Sequence, residues 1–189
     1  GNGVSEAFRP GEKAPALTVV VSDWEGYNRA KDVNAIGPAA ARHLKQKYKA
    51  RIVGWSSQPL RTMPEVPDDY YHRIDTATLA NIFQRATFTI KASMYDARST
   101  APVEAMACGT TTARAIHLGD DDLYHGYNCL RCGYDLDALV DIAEKLVMFP
   151  EYRARLEANG LEYRRQWLDW GFWMDKAEDV ITEKILASG

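Results

Sequence analysis

The sequence predicts an α/β fold, a Rossmann-like parallel sheet with helices on both faces. Short runs rich in β-branched residues alternate with helical segments along the chain, and this alternation is typical of right-handed βαβ units. Such units build a parallel sheet that is covered on both faces. Because ligands bind beyond the carboxyl ends of strands in such sheets, we expect the functional site at that edge.

The first half of the chain contains three strand candidates and two helix candidates. The strand candidates are residues 17–22, 51–55 and 88–92, and the helix candidates are 39–49 and 76–85. Pro38 either opens the first helix or kinks a longer one that begins near Asp32. Three prolines within residues 56–69 predict a loop or linker there.

The second half continues the alternation and then becomes helical. A helix is expected over 101–108 and a strand over 110–115. Three further helices are expected over 137–149, 151–167 and 174–186. Pro150 stops the first of these helices, and Gly160 weakens the second. We therefore expect a single domain over residues 1–189, with a C-terminal helical segment from about 150 to 189.

Bulk properties exclude several classes of function. The 189 residues fit one domain of ordinary size. A net charge of −3 gives no general basic field for a nucleic-acid partner. No apolar run approaches the length of a membrane span, and no secretory signal opens the chain. Since the three cysteines cannot all pair and no export signal precedes them, we expect a cytoplasmic protein.

A zinc site is the first interpretation that His117, His125, Cys129 and Cys132 invite, because zinc binds such side chains. The Cys129–Cys132 pair is a lone C-x-x-C, and the two histidines lie eight positions apart. With the histidines eight apart and upstream of the cysteines, the four residues do not have a typical zinc-finger spacing. Within a strand, residues 129 and 132 would point to opposite faces. We therefore predict no metal site, and the redox C-x-x-C interpretation lacks a thioredoxin-like context.

The most informative segment is SMYDARSTAPVEAMACG, residues 93–109. Two carboxylates, Asp96 and Glu104, lie eight positions apart within it. Pro102 suits the first turn of a helix, and Glu104 is expected in that same turn. The free backbone N–H groups of the helix N-terminus suit an anion such as a phosphate, and the residues that would carry them are Ser99, Thr100 and Ala101.

This segment resembles the signature of retaining glycosyltransferases of family 4. There an acidic residue, seven spacers and a glutamate lead into E-A-M-A-x-G. The resemblance implies that Glu104 accepts hydrogen bonds from the ribose of a nucleotide. It also implies that Asp96, where the family more often has Glu, is a catalytic residue near the donor sugar. The alternatives are that Glu104 complements a helix dipole and that Asp96 is a turn residue ending a strand.

Two other segments extend the resemblance. The loop after the first strand carries Arg29 and Lys31, where the family has an Arg and a Lys that bind the leaving diphosphate without a metal. The spacing is compressed here, and Asp32 replaces the usual Gly; an ordinary solvated loop is the alternative. The opening N-G-V, followed by Phe8 and Pro10, is similar to the start of the C-terminal half of these enzymes.

The resemblance implies one half of a GT-B fold, the donor-binding domain of a glycosyltransferase. The whole enzyme would transfer a sugar from a nucleoside-diphosphate sugar to an acceptor with retention, with no metal or other cofactor. Its partners would be the nucleotide sugar and a missing N-terminal acceptor domain. One alternative is a non-catalytic nucleotide-binding or interaction domain on the same scaffold; a sugar-nucleotide epimerase fits the motif spacing less well.

A cluster of aromatic residues lies near the end of the chain: Trp167, Trp170, Phe172 and Trp173. We interpret it as core and inter-domain packing rather than a sugar platform. If the other domain is missing, some of this apolar surface is exposed or recruited into a homodimer. In the full-length protein, peripheral attachment to the membrane is the alternative to a purely cytoplasmic location.

Overall fold

A computed structural model describes residues 4–22, 35–56, 67–96, 99–118 and 122–167. These residues form six strands and five helices. The strands are β1 (Thr18–Ser22), β2 (Arg51–Ser56), β3 (Asp69–His72), β4 (Phe88–Tyr95), β5 (Thr112–Leu118) and β6 (Leu130–Cys132). The helices are α1 (Ile36–Tyr48), α2 (Thr76–Arg85), α3 (Thr100–Ala107), α4 (Leu136–Met148) and α5 (Pro150–Trp167).

The six strands form one parallel sheet in the order β3-β2-β1-β4-β5-β6. This confirms the predicted Rossmann-like α/β class. From β1 the chain adds β2 and β3 on one side, and it then crosses back to add β4, β5 and β6 on the other side. The direction in which strands are added therefore reverses between β1 and β4. Ligands in open parallel sheets bind at this kind of reversal, beyond the carboxyl strand ends. The edge formed by the ends of β1 and β4 is therefore the place to look for a site.

Both faces of the sheet are covered. Alternate residues of β1 belong to different clusters, with Val19 and Val21 packing in one and Val20 in the other. The first cluster joins the sheet to α1 and α4, and the second joins it to α2 and α3. Burial on both faces explains why the central strand β1, TVVVS, is almost continuously apolar.

Local sequence signals account for most helix boundaries. Helix α2 begins and ends at the predicted residues, and the Asp75 side chain caps it by accepting a hydrogen bond from the Thr78 N–H at 2.8 Å. Asp135 caps α4 in the same way. Pro150 follows α4 and is itself the first residue of α5, a position where proline loses no helical hydrogen bond. Pro38 lies in the first turn of α1. The helix predicted over 174–186 lies outside the described residues.

One strand was not predicted. Residues 56–69 were interpreted as a loop, yet β3 begins at Asp69 and pairs with β2. Its four residues, DYYH, are all half-buried, so the strand lacks the apolar run that identifies central strands. Strands β4 and β5 also extend beyond their predicted ends, to Tyr95 and Leu118. Among the described residues, no helix is both long and apolar enough to cross a bilayer.

Candidate functional site

The candidate site lies where β1 and β4 end. The two strands are neighbours in register, with Val21 opposite Ile90, so the segments that follow Ser22 and Tyr95 leave the same edge of the sheet. This adjacency was expected from the sequence. Residues 23–34 lie outside the described part of the chain, and the predicted Arg29 and Lys31 lie among them.

Helix α3 begins at this edge. Ser99 is its N-cap residue and has an extended backbone, with no hydrogen bond from its side chain to the helix. Ser99 and Ala101 are buried, whereas Thr100 is exposed. The first N–H groups of a helix have no intrahelical acceptor, so the predicted anion-binding residues lie at the start of α3. Pro102, the third helical residue, supplies no N–H.

Glu104 lies in the second turn of α3, and the expectation that it would lie in the first turn was wrong. The helix begins at Thr100, two residues before Pro102, which makes Glu104 its fifth residue. A helix dipole acts mainly within the first turn. The interpretation of Glu104 as a dipole-complementing charge therefore loses its main support.

The surroundings of Glu104 suit a group that accepts hydrogen bonds. Its side chain is half-buried, and burial raises the pKa of the carboxyl above its ordinary value. Among the described residues, none donates a hydrogen bond or offers a salt bridge to this carboxylate. A carboxylate accepts two donors at once and offers none, which is the property needed to hold a vicinal pair of hydroxyls.

Asp96 follows β4 directly, and its side chain is only 5% exposed. Its Oδ2 lies 3.4 Å from the Ser93 hydroxyl, which donates to it, and 3.6 Å from Nη2 of Arg114. Ser93 lies on β4 and Arg114 on β5. Two side chains of the sheet, Ser93 and Arg114, thus contact the Asp96 carboxylate at the end of β4, in the connection to α3.

Sequence reasoning did not single out Lys91 and Arg114. They are cross-strand partners on β4 and β5 and are almost completely buried. Thr89 and Thr112, two positions earlier on the same strands, hydrogen-bond through their hydroxyls at 2.8 Å. Because side chains alternate along a strand, both cations lie on that same face. A charged residue in the middle of each apolar strand was the only available signal.

Cys129, just before β6, and Cys132, at the end of β6, lie on opposite faces of the sheet. Cys129 packs with Val103, Met106 and Leu123, whereas Cys132 packs against the cluster on the other face. Burial raises the pKa of the Cys132 thiol to about 11. The ring of His125 accepts a hydrogen bond from the Arg131 N–H at 2.9 Å. Within the described ranges, no three His, Cys, Asp or Glu side chains come together as a metal site would require.

Two surface cavities among the described residues lie away from this edge. One of about 760 Å³ is lined by Arg42, Lys45, Arg51 and Asp68 near the amino end of β2. Its charges are partly neutralised within the chain, since Lys45 binds Asp68 at 2.7 Å. Another, of about 780 Å³, surrounds the junction of α4 and α5. Neither cavity is lined by Asp96 or Glu104.

Comparison with solved structures identifies the fold. Neither a protein-family model nor a curated protein sequence matches the chain. Sucrose-phosphate synthase from Thermosynechococcus elongatus superposes with a TM-score of 0.75 at 15% identity, covering 100% of this chain and 52% of that one. The C-terminal domain of the group 1 glycosyl transferase LpcC from Francisella tularensis gives 0.71 at 13% identity, covering 88% of this chain and 98% of that domain.

A third structure contains a bound nucleotide sugar. HepE from Anabaena, solved in complex with UDP-glucose, superposes with a TM-score of 0.65 at 14% identity, covering 89% of this chain and 49% of that one. The chain thus spans about half the length of the sucrose-phosphate synthase and HepE chains and nearly all of the isolated LpcC C-terminal domain. Its fold is that of the C-terminal domains of GT-B glycosyltransferases.

Proposed function

We propose that this chain is the donor-binding domain of a glycosyltransferase that uses a nucleoside-diphosphate sugar. The observation that carries the proposal is the position of Glu104. A half-buried carboxylate without a donor among the described residues projects from α3, the helix that begins where β1 and β4 end. The fold shared with glycosyltransferases supports the same assignment, although fold alone does not establish function.

The proposed roles follow the chemistry of each group. The N–H groups of Ser99, Thr100 and Ala101 would bind the diphosphate at the helix N-terminus. Glu104 would accept hydrogen bonds from the ribose hydroxyls. Lys31 and Arg29 would neutralise the charge that develops on the leaving diphosphate, so that no metal is needed. Asp96 would lie beside the donor sugar. The proposal that the sugar keeps its anomeric configuration rests on the sequence resemblance alone.

The proposed partners complete the enzyme. Crevices of two-domain transferases close between the halves and exclude water from the reacting centre. An N-terminal acceptor domain is therefore the partner we propose for this chain, with a homodimer through the C-terminal aromatic cluster as the alternative. We also propose a cytoplasmic location, with peripheral membrane attachment of the whole protein as a variant of it.

Calorimetric titration tests the proposal directly. We expect the chain to bind one of the uridine, guanosine, adenosine or cytidine diphosphates, with affinity falling from diphosphate to monophosphate to nucleoside. This order is expected because each phosphate adds contacts to N–H groups and cations. Absence of binding across the panel would overturn the proposal. A nucleic-acid oligomer provides the matched anionic control and should bind no better than its charge at low salt explains.

A non-catalytic nucleotide-binding domain is the second candidate, and one observation favours it. The Asp96 side chain is 5% exposed and contacts Arg114 and Ser93 inside the fold, as a purely structural ion pair would. A transfer assay on the chain joined to an acceptor domain separates the candidates. Release of nucleoside diphosphate that depends on an acceptor favours the enzyme, and binding without release favours the second candidate.

A further inference from the structure

Two cations lie beneath α3, on the strands that carry the proposed site. Lys91 and Arg114 are 1% and 0% exposed and face each other across β4 and β5. A buried charge is costly unless it is paired and hydrogen-bonded. The described ion pair of this cluster joins Arg114 to Asp96, the carboxylate that the proposed function places beside the donor sugar.

The fold leaves room for these long side chains. Helix α3 packs on both β4 and β5, and its buried residues include the small side chains of Ala101 and Ala105. Large side chains of the sheet therefore face small ones of the helix. The guanidinium of Arg114 lies in the interior, and its side chain is 0% exposed. We therefore expect an effect of Arg114 on a bound donor to pass through a group nearer the edge of the sheet.

Asp96 is such a group, because it directly follows β4 at the edge of the sheet and its side chain is 5% exposed. Its Oδ2 is approached by Nη2 of Arg114 at 3.6 Å and by the Ser93 hydroxyl at 3.4 Å. A guanidinium is planar and always charged, and it matches a carboxylate better than a flexible ammonium does. A carboxylate held in this way has a restricted orientation. Such support from outside the ligand contacts is what places a functional group to within a fraction of an ångström.

We propose that Arg114 is a positioning residue, which orients the Asp96 carboxylate toward the donor sugar. This inference rests on the proposed function, because it takes the contact between Asp96 and the sugar from there. It adds a residue on a different strand that the sequence motif does not contain. It also predicts that Arg114 affects recognition of the sugar and leaves recognition of the nucleotide unchanged.

The test compares nucleoside diphosphates with their glucose conjugates by calorimetry, on the 189-residue chain and its variants. The quantity of interest is the ratio of the two affinities for the base that binds best. We expect Arg114→Gln and Asp96→Asn each to lower this ratio by about tenfold, the size of losing a hydrogen bond to a charged group. Affinity for the diphosphate alone should stay within about twofold. The double variant should be no worse than Asp96→Asn.

A second measurement addresses folding, because each single variant leaves a buried charge behind. We expect Arg114→Gln and Asp96→Asn each to lower the melting temperature, and the double variant to recover part of the loss. Arg114→Lys keeps the charge and should retain much of the sugar ratio. The control pair is Arg51 and Asp69, joined at 2.6 Å on β2 and β3. Arg51→Gln should leave the ratio unchanged.

The outcomes are distinguishable. An unchanged ratio in Arg114→Gln overturns the inference, as does an unchanged ratio in Asp96→Asn, and both leave the nucleotide-binding proposal intact. Additive melting losses in the double variant also overturn it, because they show that the two side chains do not interact. A wild-type chain that binds no nucleotide overturns the proposed function itself, and this result is known before any variant is compared.

Discussion

At the scale of single residues, Glu104 offers the sharpest test. If its carboxylate holds two ribose hydroxyls, Glu104→Gln should weaken nucleotide binding by about 1–3 kcal/mol, since a neutral amide accepts more weakly and introduces a donor. Titration calorimetry measures this loss. Glu162→Gln is the matched control, because Glu162 is paired with Arg165 on the surface of α5. This substitution should leave the affinity for nucleotide unchanged. Equal affinity of Glu104→Gln and wild type would contradict the ribose assignment.

The same residue predicts a pH dependence. Burial raises the pKa of Glu104 above 4.5 in the folded chain, so the folded state binds this proton more tightly than the unfolded state. Between the unfolded and the folded pKa, stability therefore falls as pH rises. Glu104→Gln removes this pH-dependent contribution to stability, and the variant should be at least as stable as wild type at pH 7. Its gain in stability over wild type should shrink below the pKa of Glu104 in the unfolded chain. Chemical denaturation at pH 4 and pH 7 checks the sign.

Lys31 carries a prediction that depends on the sequence alone, because it lies outside the described residues. If Lys31 and Arg29 contact the diphosphate, Lys31→Ala should flatten the fall in affinity from nucleoside diphosphate to monophosphate to nucleoside. The remaining affinity should also depend less on salt. Lys49→Ala, an exposed lysine at the end of α1, is the control. A series as steep in Lys31→Ala as in wild type would place the phosphates on the α3 N–H groups alone.

Residues of the site differ in how far the sequence reveals them. Asp96 and Glu104 were recognisable because their spacing and the helix start between them are local features. Arg114 was not, because its contact with Asp96 depends on the register of β4 against β5. No local pattern encodes that register. Burial of a charge is a property of the packed sheet, and the sequence showed only a cation within an apolar run.

At the scale of elements, α3 and α5 pack closely through Gly160. A Cβ added at Gly160 would lie 2.7 Å from Cγ of Met106, which is itself buried. The glycine that weakens α5 as a helix thus permits its approach to α3. Gly160→Ala gains helix propensity of about 1 kcal/mol but forces overpacking that costs about 1–3 kcal/mol. We expect a net loss of stability in chemical denaturation.

Gly133 provides the control for this prediction. A Cβ at Gly133 would meet no atom within 4 Å, so Gly133→Ala should leave stability unchanged or raise it slightly. A stabilised Gly160→Ala variant would mean that Met106 moves aside without cost. In that case the close contact would not be what sets the distance between α3 and α5.

Elements whose ends are set by local sequence signals could be predicted, whereas an element that depends on pairing with a neighbour could not. Helix α2 has a capping Asp75 and an apolar face, so its ends are local properties of the chain. Strand β3 has no apolar run and is only half-buried, and it exists because β2 offers a free edge with which Asp69 to His72 pair. A strand that is defined by its neighbour cannot be recognised from its own residues.

At the scale of the whole molecule, alternation of strands and helices predicted the fold class but not the order of the strands. The strand order depends on the side of β1 to which each βαβ unit packs. Contacts between segments distant in sequence determine that side. The result, β3-β2-β1-β4-β5-β6, is what creates the reversal between β1 and β4. The candidate site is therefore a product of the topology, even though the sequence alone suggested its two carboxylates.

The last prediction concerns what this chain does alone. The sucrose-phosphate synthase and HepE chains, which share its fold, are about twice its length, and the candidate site lies at one open edge of the sheet. Because closure between two halves excludes water and completes the reacting centre, we expect these 189 residues to bind a nucleoside diphosphate or its sugar conjugate without transferring the sugar. Transfer should appear only when an acceptor-binding domain is joined to the chain. Turnover of a nucleotide sugar onto an acceptor by this chain alone, lost in Glu104→Gln, would refute the prediction and show that one domain suffices.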